Sequence, residues 1–283
     1  MKFNLILLTL LIGHQCATAQ VHEEKHDDHN HDHDHEDHVD IYNWDWKKDG
    51  YILGASFLGW GTSRFLKAQA DKITVEDLPQ RDPENLWSID RGAAENYSES
   101  AGQLSDIFLY TSFLLPISHY TGLKCRKQGF VIAGMALETF FITDGITNTL
   151  KALTKRFRPF TYNPEVPIDE KLDNGARYSF VSGHSSNTAA LGFFSAKVFS
   201  DLYPDSKWKP VIWTLGATLP AMTGYLRYRA GKHFPTDIIS GYLLGASIGY
   251  LVPHFHKISN EDLALNLLPL NGGFMFSFSM TLK

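Results

Sequence analysis

Apolar residues recur at helical spacing through most of the chain beyond Ile41, with Gly and Pro marking the breaks. The pattern predicts helices over Gly50 to Lys67, Gly102 to His119, Gly129 to Phe157, Ser185 to Leu202, Trp208 to Tyr228 and Thr236 to Leu251. Six helices of this length predict an all-α fold, a helical bundle. Two polar stretches interrupt it: Ala68 to Ser98, with Pro79 and Pro83, and Phe160 to Ser179, with Pro164, Pro167 and Asp173-Asn174-Gly175. Both read as surface excursions, and the second could form a rim or lid over a site. Near the C-terminus Phe274, Phe276 and Phe278 alternate with Met275, Ser277 and Ser279 after Asn271-Gly272-Gly273, which predicts a short β-hairpin.

The N-terminus breaks the helical pattern. Met1-Lys2, the apolar run Phe3 to Ile12 and Ala17-Thr18-Ala19 have the order of a secretory signal peptide, giving residues 1–19 as signal and an exported chain in the periplasm or cell envelope. Residues 20–40 hold seven histidines, His22, His26, His29, His31, His33, His35 and His38, among nine acids and one lysine. With almost no apolar residues this stretch is expected to be a disordered tail. Its imidazoles and carboxylates could loosely bind a divalent metal, or it could be a plain solvated spacer. The tail carries the acidic balance: the whole chain is −5, residues 20–40 are −8, and the body beyond is +2. A near-neutral body gives no reason to expect a nucleic-acid partner. Of two cysteines only Cys125 lies beyond the signal, so no intrachain disulfide forms and a buried inert thiol is expected.

The third and last helices are apolar enough to suggest membrane contact, but most apolar runs fall short of the roughly 20 residues a bilayer requires. The expectation is a periplasmic or membrane-associated bundle, with an integral protein close behind. Residues 41–258 form its body and 259–283 an extension.

Three short segments carry candidate chemistry. Lys151 and Arg158 are seven apart and would share a face on a continuous helix, but Arg158 falls just past the predicted helix end and Pro159 disfavours helical geometry there, so the guanidinium could swing back toward the ammonium to share an anion. Taken alone, the segment is as well explained by a solvated basic helix end. Ser182 can cap the next helix, Gly183 permits close backbone approach, and His184 falls in a first turn whose free N–H groups attract anions. Arg227 precedes His233, and the four-residue spacing from His233 to Asp237 allows the carboxylate to accept a hydrogen bond from one ring nitrogen and leave the other free. An Arg227–Asp237 ion pair for structure alone is the competing reading. His254 and His256 look like a helix-end pair without acidic company and receive no role.

Jointly the segments Lys151-ALTKRF-Arg158-Pro159, Val181-Ser182-Gly183-His184 and Leu226-Arg227-YRAGK-His233-FPT-Asp237 resemble the type 2 phosphatidic acid phosphatase superfamily, which includes class A acid phosphatases and vanadium haloperoxidases. Val181 stands where that pattern has proline and Leu226 where it has serine. The resemblance implies a phosphatase without cofactor or catalytic metal, with His233 as nucleophile, His184 as general acid and Asp237 orienting His233. Lys151, Arg158, Ser182, Gly183 and Arg227 would hold the phosphate. It implies phosphorylated lipids as substrates, with soluble phosphomonoesters or vanadate-dependent halide oxidation as alternatives.

Overall fold

The computed structural model describes residues 40–78, 82–122, 126–258, 263–270 and 273–280. The signal segment, the tail histidines His22 to His38 and Cys125 lie outside them. Six long helical rods alternate in direction. They are α1 (Lys48–Ala68), α3 (Glu99–Ser112) continued by α4 (Leu114–Ser118), α5 (Gly129–Thr154), α7 (Gly183–Leu202), α8 (Lys209–Arg229) and α9 (Pro235–His256). Short helices α2 (Ser88–Arg91) and α6 (Ile168–Lys171) lie in the two predicted excursions. Beyond the bundle, β1 (Leu263–Leu270) pairs antiparallel with β2 (Gly273–Met280), Leu263 opposite Met280 and Leu270 opposite Gly273. This is the predicted hairpin.

Local chemistry sets the helix ends. The predicted second helix breaks after Ser112 because Pro116 has no N–H to give the Ser112 carbonyl. α5 stops three residues before its predicted end, where Lys155 takes a left-handed conformation (φ 45°). That turn releases Arg156 to Arg158 from the helix, and Arg158 is extended ahead of Pro159. α9 opens with Pro235 in its first turn and runs past Pro253 to His256, five residues beyond its predicted end.

α7 is the axis, packed chiefly by α9, α8 and α5. It is buried on every face, so it carries no polar stripe. α9 lies against it through Gly241, Gly245 and Gly249. A Cβ on Gly245 would sit 1.9 Å from the Ser186 carbonyl oxygen, and one on Gly249 would sit 2.2 Å from that of Ala190. Only hydrogen fits there, and the backbones meet directly. The interior is notably polar: Asp144 on α5 accepts from Trp60 Nε1 at 2.7 Å and Arg64 at 3.0 Å on α1, and from Asn187 at 3.1 Å on α7.

The outside is apolar. Phe57, Leu58 and Phe65 on α1, Ile107 and Tyr110 on α3, Leu137 on α5 and Ile239 and Leu243 on α9 are all exposed. α5 and α9, the third and last predicted helices, are the two that are long and apolar enough to cross a membrane among the described residues, as the sequence suggested. The polar groups Glu138, Thr143 and Asp144 that interrupt the α5 run face inward.

The two ends of the bundle differ. At one, the chain before α1 forms a strap: Tyr42 bridges to Lys257, Asn43 N–H donates to the His256 carbonyl at 2.9 Å, and Tyr42 Oη donates to Asp201 at 2.9 Å. At the other, the excursions meet in a separate apolar cluster of Ile73, Phe160, Val166 and Ala176. Phe160 is core there, while Trp87 is open to solvent.

Candidate active site

Every residue singled out in the three segments lies at the excursion end. Lys151 closes α5, where it is buried and donates to the Tyr178 carbonyl at 2.7 Å. A Cβ on Gly183 would meet Lys151 Cε at 3.8 Å, so the lysine lies beside the start of α7. Ser182 caps that helix, its Oγ accepting from Ser185 Oγ at 3.0 Å, and its N–H donates to the Asp237 carbonyl at 3.0 Å. The Ser182 loop and the start of α9 are thereby tied together, next to the free N–H groups of the first turn of α7.

His184 and Arg227 converge on α3. His184 Nε2 lies 2.6 Å from Asp106 Oδ1, while Arg227 donates to Ser105 Oγ at 3.2 Å and reaches Asp106 at 3.5 Å. An ionised carboxylate only accepts, so the hydrogen of this contact sits on Nε2 of His184. Arg227 therefore pairs with Asp106, and the competing Arg227–Asp237 pair does not form. The Nε groups of Arg227 and Arg158 are buried without a partner. Two guanidinium edges stand open to an anion.

His233 is enclosed between α8 and α9, its Nδ1 facing Asp237 Oδ2 at 3.7 Å. This is a close approach short of the expected hydrogen bond. The reason is competition: Asp237 Oδ2 already accepts from Ser179 Oγ at 2.5 Å and from Phe234 N–H at 2.9 Å, and Oδ1 accepts from Arg156 at 2.5 Å. Burial, with Lys151, Arg158 and Arg227 adding positive charge, holds His233 well below its ordinary imidazole value. It is neutral, with a lone pair to offer.

Sequence reasoning missed several participants. Arg156 was grouped with a solvated helix end, but it spans Asp237 and Asp90 (2.8 Å) and lies 4.2 Å over the Phe234 ring. Asp90, wholly buried on α2, also accepts from Thr236 N–H at 3.1 Å and Thr236 Oγ1 at 2.8 Å. The first excursion thus supplies a carboxylate beneath the site. Ser179, Ser105 and Asp106 carry no sequence signal, because each acts through a long-range contact. Lys232 could have been flagged as the cation before His233. Beside Arg158, it lines an open cavity of about 350 Å³ whose far wall is acidic, with Asp169, Glu170 and Asp173. Burial and the nearby Arg158 and Arg227 lower its pKa.

Buried cations, a neutral histidine backed by a carboxylate and a second histidine presenting a proton suit transfer at a tetrahedral oxyanion. Comparison with known proteins agrees. Residues 130–261 match the PAP2 superfamily model. Lipid A 4'-phosphatase of Porphyromonas gingivalis is 30% identical over 133 residues, covering 46% of this chain and 52% of that protein. Phosphatidylglycerophosphatase B of Bacillus subtilis is 30% identical over 152 residues, covering 52% and 70%. Undecaprenyl-diphosphatase of Sulfolobus acidocaldarius is 30% identical over 129 residues, covering 45% and 55%. The chain therefore spans only about half the length of some of these relatives. A crystal structure described as the first transmembrane PAP2 type phosphatidylglycerolphosphate phosphatase, from Bacillus subtilis, aligns at TM-score 0.46 and 24% identity, covering 72% of this chain and 96% of that one. With a matching superfamily model and a relative 30% identical over most of its own length, the chain belongs to the PAP2 superfamily.

Proposed function

We propose that this protein is a membrane phosphatase that removes phosphate from a lipid, with His233 as nucleophile and His184 as general acid. One observation carries the reading: Lys151, Arg158, Arg227, His184 and His233 share the start of α7, at one end of a bundle whose sides are apolar. A phosphate at the headgroup level of a bilayer meets such a site without leaving its lipid. Relatives acting on lipid A, phosphatidylglycerophosphate and undecaprenyl diphosphate support the same class.

In this reading Lys151, Arg158 and Arg227 neutralise the equatorial oxygens, with the Gly183 N–H and Ser182 alongside. His233 Nε2, free because Nδ1 faces Asp237, attacks phosphorus in line. A P–N bond forms as the P–O bond to the lipid breaks, and His184, which enters the step as imidazolium beside the bound phosphate anion, passes its Nε2 proton to the departing oxygen and becomes neutral. The neutral His184 then takes a proton from water, whose oxygen attacks the phosphohistidine. The P–N bond breaks, phosphate leaves and both histidines return to their starting states. Asp106 holds the His184 proton in the empty site and yields it to the leaving group.

The test uses the full chain in detergent with a lipid phosphomonoester, an isoprenyl diphosphate and a soluble phosphomonoester. Both lipids should be hydrolysed in preference to the soluble ester. His233→Ala should abolish phosphate release, and His184→Ala should cost about 100-fold or more in kcat. Turnover by a folded His233→Ala protein near the wild-type rate would overturn the nucleophile. Preference for the soluble ester would overturn the lipid.

A further inference from the structure

A second polar cluster lies at the strap end, far from the phosphate chemistry. Asp49 in the first turn of α1, Glu138 on α5 and His256 in the last turn of α9 bring one ligand atom each to within 4.8 Å of the others. All three are buried, at 1%, 1% and 6% exposure. From Glu138 to Lys151 α5 rises about 20 Å, so the cluster is separate from the candidate active site. His256 therefore has the acidic company that sequence reasoning denied it, because α1 and α5 bring the carboxylates from remote positions.

The ring of His256 is oriented. Its Nδ1 lies 2.8 Å from the Val252 carbonyl, which can only accept, so Nδ1 carries the hydrogen. Nε2 faces Asp49 Oδ1 at 3.3 Å and Glu138 Oε2 at 3.4 Å. Nε2, Asp49 Oδ1 and Glu138 Oε1 are all buried without a hydrogen-bond partner. With its hydrogen on Nδ1, His256 Nε2 is an acceptor facing two carboxylate oxygens, Asp49 Oδ1 and Glu138 Oε2, and such a set repels unless something positive lies between them. No lysine or arginine pairs with either carboxylate among the described residues.

We propose that Asp49, Glu138 and His256 form a binding site for a divalent transition-metal ion of the zinc type. Metal–ligand bonds of about 2.0–2.1 Å at tetrahedral angles place ligand atoms about 3.3–3.4 Å apart, which matches both His256 separations. One imidazole with two carboxylates is a ligand set such ions accept, and two negative charges balance the ion's two positive ones. The supporting contacts are those of a ligand set. A histidine ligand usually donates its other nitrogen to a carbonyl, as Nδ1 does to Val252, and Asp49 Oδ2 is held by the Asp45 N–H at 2.7 Å. Trp44 of the strap stacks on His256 at 5.9 Å and covers Gly134 of α5, shielding the cluster from water. An ion here would fasten the strap end of α1, α5 and α9 together.

The alternative is a protonated His256 bridging the two carboxylates with no metal. Thermal unfolding of the full chain in detergent, stripped by chelator and then titrated with zinc or manganese, separates the two. Any metal taken up by the seven tail histidines would be held in folded and unfolded chain alike and would shift no midpoint. Metal should raise the midpoint of wild type and leave that of Glu138→Gln unmoved. In the stripped protein Glu138→Gln should unfold at the same temperature as wild type or higher, since it removes a repulsion. A chain with the seven tail histidines replaced by serine should retain one equivalent of metal and lose it on adding Glu138→Gln. Equal metal shifts in wild type and Glu138→Gln, or no retained equivalent, would overturn the site. A Glu138→Gln protein less stable than wild type with and without metal would establish the proton-bridged triad instead.

Discussion

Arg156 touches two buried carboxylates at once and is the only bond to Asp237 Oδ1 among the described residues. Removing it strands that oxygen and turns Asp237, so its effect should exceed that of an ordinary basic surface residue. We expect Arg156→Ala to lower kcat by about 100-fold, through misplacement of His233, with KM changed far less. Steady-state kinetics of a folded variant checks this, and an effect confined to KM would place Arg156 on the substrate instead. The charge state of His233 gives a second expectation. Its pKa is lowered, so the neutral form persists as pH falls through 6.5 and is lost only further down. The ring-carbon NMR signal of His233 should stay that of neutral imidazole from pH 8 to 6; a midpoint near 6.5 would contradict its burial among cations. At this scale the sequence was most legible where residues are neighbours in chain, as from His233 to Asp237. It was least legible at Arg156, Asp90 and Asp106, whose partners lie 66 to 146 residues away.

At the scale of elements, the packing of α9 on α7 fixes the phosphate site as much as any charged group does. The glycines that let the two backbones meet also set the height of Ser182, Gly183 and His184 against His233 and Asp237. Gly245→Ala should force the helices apart, costing about 3 kcal/mol of stability and most of the activity. Gly54 on α1 is the contrast, since a Cβ there meets nothing within 4 Å. Gly54→Ala should stabilise by up to about 1 kcal/mol and leave kcat unchanged. Thermal unfolding beside phosphate release measures both, and equal effects of the two alanines would contradict the packing described. Periodicity placed all six rods, because each has at least one apolar face. It misplaced their ends, which are decided by Pro116, by the left-handed Lys155 and by the strap bonds around His256.

For the whole molecule, apolar side chains lie outside as well as in. A hydrophobic core around Phe194, Phe199 and Met135 sits beside buried serine, threonine and asparagine, while phenylalanine, leucine and isoleucine also face out, a surface that suits lipid. Leu243→Lys, on the exposed face of α9, should weaken membrane retention by about 2–3 kcal/mol. Alkaline extraction of membranes reads this directly; an unchanged membrane fraction would mean that face meets no hydrocarbon. This apolar exterior was hard to see in sequence, because the mean hydropathy of −0.19 is that of the whole chain and is pulled down by the His- and acid-rich stretch 20–40. The strap adds a constraint on compartments. Ile258 N–H bonds the Ile41 carbonyl at 2.8 Å, so the chain enters and leaves the bundle at one end. α9 alone rises about 33 Å from that end to the phosphate chemistry, a full bilayer core. With the rods across a membrane, residues 41 and 258 share one side and His233 works on the other. Release of residue 20 outside the cell and dephosphorylation outside the cell then become mutually exclusive, and labelling a cysteine placed at Asn43 from either side of the membrane would show which compartment receives the phosphate.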